Sequence, residues 1–278
     1  MKEQFSLQSD FFVSSDGVRI HYLKTAKSNS NIWLVFLHGA GGDATAWNRI
    51  QLECFSAGYP SIAIDLRGHG LSDDPIDSGA YAFEKMTQDV DDIVSSLRLT
   101  RVVVVGHCFG GMTSIVLAAK HPSFLSGLVL VDTSDGPSIF GFPLVASHAV
   151  AKMTRKIAYL FRPGVKQVRP TYDIFIGTND IHLKRFMSDV KYTSLRSYLF
   201  CYSDIFEFDG GNLLEKIETP TKVICGEKDI IFPPKISRRL AKNIKGSTLT
   251  TIPDANHIIV ISDPHVLSAS ILSFVKNL

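Results

Sequence analysis

The six residues GHCFGG, Gly106 to Gly111, follow the run RVVVV (101–105) and precede the apolar stretch MTSIVLAAK (112–120). A run of valines suits a strand buried on both faces, and the stretch after it suits a helix packed back on that strand. The residues between form a sharp strand-to-helix turn, whose tight geometry demands small neighbours around the residue at its apex. Gly106 and Gly110 are those neighbours, and Cys108 is the apex. A side chain placed there projects above the sheet. Backbone N–H groups and the positive end of the helix dipole face it, which favours both a thiolate and an oxyanion developing beside it. G-x-C-x-G is the nucleophile-elbow pattern with cysteine where serine normally stands.

Outward from this turn, short Val/Ile-rich runs alternate with longer amphipathic stretches. The runs are IWLVFL (32–37), SIAI (61–64), VVVV (102–105), GLVLV (127–131), KVIC (222–225) and STLTTI (247–252). They read as strands of a parallel sheet covered by helices. Between them Met86, Val90, Ile93, Val94 and Leu97 recur at helical spacing. Asp263-Pro264 offers an N-cap and a first-turn proline to a last helix carrying Leu267, Ile271, Phe274 and Val275. Ahead of the first run, FFVSSDGVRIHYLKT (11–25) reads as a hairpin turning at Asp16-Gly17. The expected fold is α/β, with a mostly parallel central sheet that begins antiparallel and carries helices on both faces.

The rhythm breaks between 135 and 212. No buried strand is evident there, and helical stretches such as PLVASHAVAKMTRKIAYLF (143–161) carry the apolar residues. This segment is expected to be an inserted helical cap, with 1–134 and 213–278 forming the core. Ten lysines and arginines between 152 and 196 outnumber Asp173, Asp180 and Asp189. A solvated helical surface explains that excess better than a dedicated anion site.

With 278 residues, 45% of them hydrophobic and 20% charged, the chain can bury a large core as one globular unit. A net charge of +2, with no long Lys/Arg run, argues against a nucleic-acid partner. The opening MKEQFSLQSDFFVSSDG (1–17) has neither the apolar core of a signal peptide nor the length of a membrane span, so the cytoplasm is expected. Cys54, Cys108, Cys201 and Cys225 are scattered without metal-ligand spacing. Reduced thiols, no disulfide, no metal and no cofactor follow.

Several separate stretches resemble the α/β-hydrolase family, and the resemblance covers nearly the whole chain apart from the cap. FLHGAGG (36–42) is similar to the family's oxyanion loop after a strand, and DLRGHGLSD (65–73) to the loop of its cap-bearing members. CGEKDIIFPP (225–234) places Asp229 just past a strand, where the family keeps its acid, and IPDANHIIV (252–260) places His257 where it keeps its base. The chain order of nucleophile, acid and histidine also fits. The resemblance implies Cys108 as nucleophile, His257 as base, Asp229 as acid, and the Ala40 and Phe109 N–H groups as the oxyanion hole. Asp132, after GLVLV, is the alternative acid. His38, His69, Asp65 and Arg67 are expected to shape loops, with an anionic substrate as the alternative partner for Arg67. Cys54, Cys201 and Cys225 read as buried small hydrophobes.

The cysteine constrains the chemistry. When a thiolate attacks an alkyl ester, the thiolate, with a thiol pKa of about 8.5, leaves the tetrahedral intermediate more readily than the far more basic alkoxide. A thioester or enol ester has a better matched leaving group. Two groups of the family carry the same cysteine: dienelactone hydrolases, which open an enol lactone, and polyhydroxyalkanoate synthases, which pass acyl chains from coenzyme A between thiols. The chain is short and has no further motif of either. The leading expectation is hydrolysis of an activated ester or thioester, of a small acyl substrate free or carried on a thiol. An acyltransferase or cyclase, and a non-catalytic ligand-binding member, are the alternatives. Monomer and homodimer both stay open.

Overall fold

The valine run lies at the centre of an eight-stranded sheet in the structure, a computed structural model that describes residues 6–137, 144–164 and 166–278. The strands are β1 (Gln8–Val13), β2 (Arg19–Lys24), β3 (Trp33–Leu37), β4 (Ser61–Ile64), β5 (Val102–His107), β6 (Leu125–Val131), β7 (Thr221–Gly226) and β8 (Thr248–Ile252). Their spatial order is β1-β2-β4-β3-β5-β6-β7-β8. β1 pairs antiparallel with β2, and β2 with β4; every later pairing is parallel. The first pair is the expected hairpin, closed at Asp16-Gly17 by Ser14 N donating to Val18 O at 2.9 Å.

Side-chain alternation along β5 explains why the run is apolar throughout. Val102 and Val104 pack on one face with Met86, Val90 and Ile93 of α2 (Phe83–Ser96) and Ile115 of α3 (Phe109–Ala118). Val103 and Val105 pack on the other face with Trp47, with Ile50 and Cys54 of α1 (Asn48–Ser56), and with Leu267 and Ile271 of α10 (Pro264–Val275). Each fully buried side chain of this kind contributes about 1.5–3 kcal/mol. β8 departs from the expectation of two covered faces. Thr248 and Thr251 are exposed, because β8 is the edge strand and its residues meet a neighbour on one side alone.

The last helix begins at Pro264 as its sequence dictates, but Asp263 caps it through the main chain. Its carbonyl accepts from Leu267 N at 3.1 Å, while its carboxylate accepts from Ser262 Oγ at 2.9 Å and makes no bond to the helix.

Between β6 and β7 the described residues form α4 (Leu144–Ala158), a short 3-10 turn (Asp173–Phe175), α5 (Leu183–Thr193), α6 (Leu195–Glu207) and α7 (Gly211–Leu214), with no strand. α8 (Pro234–Asn243) and α9 (Ile259–Ser262) follow β7 and β8. Residues 138–143 and 165 of the expected cap, and 1–5 of the opening stretch, lie outside the described residues. Among the described residues no helix is long and apolar enough to cross a membrane, and no group of three or more His, Cys, Asp or Glu is arranged to hold a metal ion. The four thiols are free and buried.

Candidate active site

Cys108 sits between β5 and α3 with φ +51° and ψ −114°, a backbone region that a residue with a Cβ enters at a cost of about 1–3 kcal/mol. The surroundings hold it there. Cys108 N donates to Val131 O at 3.0 Å, and Thr133 Oγ1 donates to Cys108 O at 2.7 Å. A Cβ on Gly106 would overlap Ser114 Oγ and the Gly110 carbonyl, and one on Gly110 would overlap the Leu37 carbonyl. Both glycines are therefore needed for the turn. Cys108 is buried at a cavity of about 640 Å³, walled by side chains such as Trp47, Phe186, Leu199, Tyr202, Phe232 and Ile258.

Asp229 and His257 meet at this cavity from the loops after β7 and β8. Asp229 Oδ1 accepts from Ile231 N and Phe232 N, both at 2.8 Å, and Oδ2 accepts from His257 Nδ1 at 2.9 Å. That bond fixes a proton on Nδ1 and leaves Nε2 as the ring's remaining nitrogen, at the cavity that Cys108 also lines. Burial disfavours a charged His257, but the Asp229 carboxylate and Cys108 outweigh it and hold the ring pKa well above its ordinary value. Burial likewise works against an ionised Asp229, and the His257 charge overrides it, so this carboxyl lies below its ordinary range.

Asp132 occupies the other strand end and does a different job. It is fully buried, and Oδ1 accepts from Gly226 N at 2.8 Å. Burial and then the Asp229 charge push its pKa far up. Oδ2 is buried and has no hydrogen-bond partner among the described residues. The His257 Nδ1 bond thus goes to Asp229, while Asp132 is bonded to the Gly226 main chain.

The loop 36–42 lies beside the elbow, where Gly110 N donates to His38 O at 3.1 Å. Among the described residues neither the Ala40 N–H nor the Phe109 N–H has an acceptor within the protein. His38 bonds Gly39 O through Nδ1 and accepts from Leu66 N, and His69 bonds Arg67 O through Nδ1 and accepts from Gly41 N. Burial depresses both imidazoles, His69 to about 3, so both act as neutral loop braces. Asp65 accepts from Ala44 N and Leu71 N. Arg67 is buried between Asp89 and Asp16 and does not line the cavity at Cys108.

Three further groups escaped the sequence reading. His107 lies inside GHCFGG; its Nε2 donates to His257 O at 2.8 Å, and burial, then His257, lower its pKa to about 3. Asp180 accepts from His257 N at 2.7 Å and from Ile230 N at 3.1 Å. Arg169 is buried against Asp43, 2.6 Å away, and donates to Gly41 O at 3.2 Å, so it braces the loop that carries Ala40. Asp180 and Arg169 entered the sequence reading only as charges. Burial was the missing signal, and a charged residue in an amphipathic region gives none of it.

Comparison with known proteins fits this geometry. Residues 32–176 match the model of a family described as alpha/beta hydrolase fold. Epoxide hydrolase 3 of Xenopus tropicalis is 26% identical over 95% of this chain and 77% of its own. The structure of the enol-lactonase from Burkholderia xenovorans LB400 superposes with a TM-score of 0.74 at 23% identity, covering 96% of this chain and 100% of that one. An esterase, EaEST, from Exiguobacterium antarcticum gives 0.77 at 21% identity, over 97% and 100%. At such identities the two structures share a fold with this chain.

Proposed function

The chain belongs to the α/β-hydrolase fold family, and we propose that within it this protein hydrolyses an activated ester or thioester of an apolar acyl group through Cys108, His257 and Asp229. One observation carries the reading: His257 is bonded to Asp229 through Nδ1, and its ring and the Cys108 thiol at the elbow line the same apolar cavity. His257 Nε2 takes the Cys108 proton, and Sγ attacks the substrate carbonyl carbon. The carbonyl oxygen becomes an oxyanion and is held by the Ala40 and Phe109 N–H groups. The C–S or C–O bond to the leaving group breaks, and that group departs with the proton from His257. Water then gives its proton to His257 and attacks the acyl carbon; the acid leaves and the thiol is restored. Asp229 steadies the imidazolium throughout. The segment 135–212 acts as a cap whose helices wall the acyl pocket, and a cytoplasmic address would keep the thiol reduced.

The similarity to epoxide hydrolases does not extend readily to their substrate. A thiolate that opened an epoxide would form a C–S thioether, which water does not cleave, and the enzyme would stop after one turnover. An acyl thioester on Cys108 is cleaved by water, so the cysteine favours acyl chemistry. The test compares one acyl group carried on sulfur and on an alkyl oxygen, in the parent and in Cys108→Ser. The parent is expected to prefer the thioester, and the serine variant to lose much of that ratio. A parent that turns over the alkyl ester equally well contradicts the reading.

A further inference from the structure

His257 and Asp229 stand on separate loops. At their bases the loops are joined by Glu227 N donating to Ile252 O at 3.0 Å and Lys228 N to Ala255 O at 2.8 Å. Nearer the cavity the link comes from the segment between β6 and β7. The Asp180 carboxylate accepts from His257 N with one oxygen and from Ile230 N, next to Asp229, with the other. Two residues earlier Thr178 O accepts from Asn256 Nδ2 at 2.9 Å. Arg185 donates to the carbonyls of Asn179 and Asp180 and so holds this stretch to α5. The opposite side of the His257 main chain is fixed by His107 Nε2 on its carbonyl.

We propose that Asp180 is a positioning residue: reaching in from the segment between β6 and β7, its carboxylate fixes His257 and the Asp229 loop against each other, so that the acid–base pair is in register only while that segment is seated. The proposal rests on the reading of Cys108, His257 and Asp229 as the catalytic set. Its physical basis is directional. A carboxylate offers acceptor oxygens to two N–H groups on different loops, both bonds are charge-assisted, and Asp180 is 9% exposed, so water competes little. An amide of equal size cannot do the same, because one of its arms carries N–H groups that would face a backbone N–H.

Asp180→Asn tests this with two readouts, the downfield proton resonance of His257 Nδ1–H in the bond to Asp229, and steady-state kinetics on a hexanoyl thioester. The resonance is expected to broaden or vanish, and kcat to fall about 10- to 100-fold while KM changes less than about threefold. Asp180→Glu restores the charge and is expected to recover part of both; if the asparagine variant does not fold, the glutamate variant, with its carboxylate one methylene out of place, is expected to show the same losses in milder form. A folded variant with the resonance intact and kcat within about twofold of the parent overturns the proposal. Cys108→Ala separates the two claims. If it keeps its turnover, the catalytic reading fails; if it is inactive while Asp180→Asn is fully active, the role of Asp180 alone fails.

Discussion

The end of the sheet and the segment between β6 and β7 meet at one cavity but contribute in different ways. The sheet end supplies the proposed reacting groups, on turns that follow strands: Cys108 after β5, Asp229 after β7, His257 after β8. The other segment supplies none of them, yet its Asp180 holds the His257 main chain and its Arg169 holds the Gly41 carbonyl. The difference separates placing a functional group from keeping it aligned. The first depends on local backbone geometry, such as the left-handed φ of Cys108, and the second on buried polar contacts between distant segments.

If that division is right, changes to the proposed reacting groups at the sheet end should cost far more than changes across from it. Asp229→Asn removes the partner that orients His257, and turnover should drop by about 10³-fold or more in a protein that still folds. Arg169→Lys keeps a charge beside Asp43 but loses the planar fork that also reaches Gly41 O and Ser188. Loosening the Ala40 loop this way should lower kcat by about tenfold with little change in KM. A loss as large as that of Asp229→Asn would erase the distinction between the two regions. Asp132→Asn is the mildest change, since burial and the Asp229 charge already favour an uncharged group there and an amide can still accept from Gly226 N. Turnover within about threefold of the parent is expected, and a larger fall than that of Asp229→Asn would move the acid role to Asp132.

The same division describes what was legible in the sequence. A strand buried on both faces must be apolar at every position, so the run at 102–105 announced itself, and the turn after it needed glycines at fixed places. Asp229 lies past such a strand, β7, and His257 past the more exposed β8, and their order along the chain was readable as well. Asp132 could be named but not understood. Its role depends on a proton that burial and the nearby Asp229 charge retain, and neither is visible in a residue type. Asp180 and Arg169 were harder still. Each sits in a stretch of charges whose exposed and enclosed members look alike in sequence, and enclosure is a property of the folded chain. His107 was inside the deciding stretch itself, but its partner is a backbone carbonyl 150 residues away.

The proposed mechanism requires that Cys108 form a covalent acyl intermediate. Rapid acid quenching during turnover of a hexanoyl thioester, followed by intact mass and peptide mapping, reads this directly. One added hexanoyl group is expected on the peptide containing Cys108, with Cys54, Cys201 and Cys225 unmodified. Turnover by the parent without any adduct, together with undiminished turnover by Cys108→Ala, would contradict it.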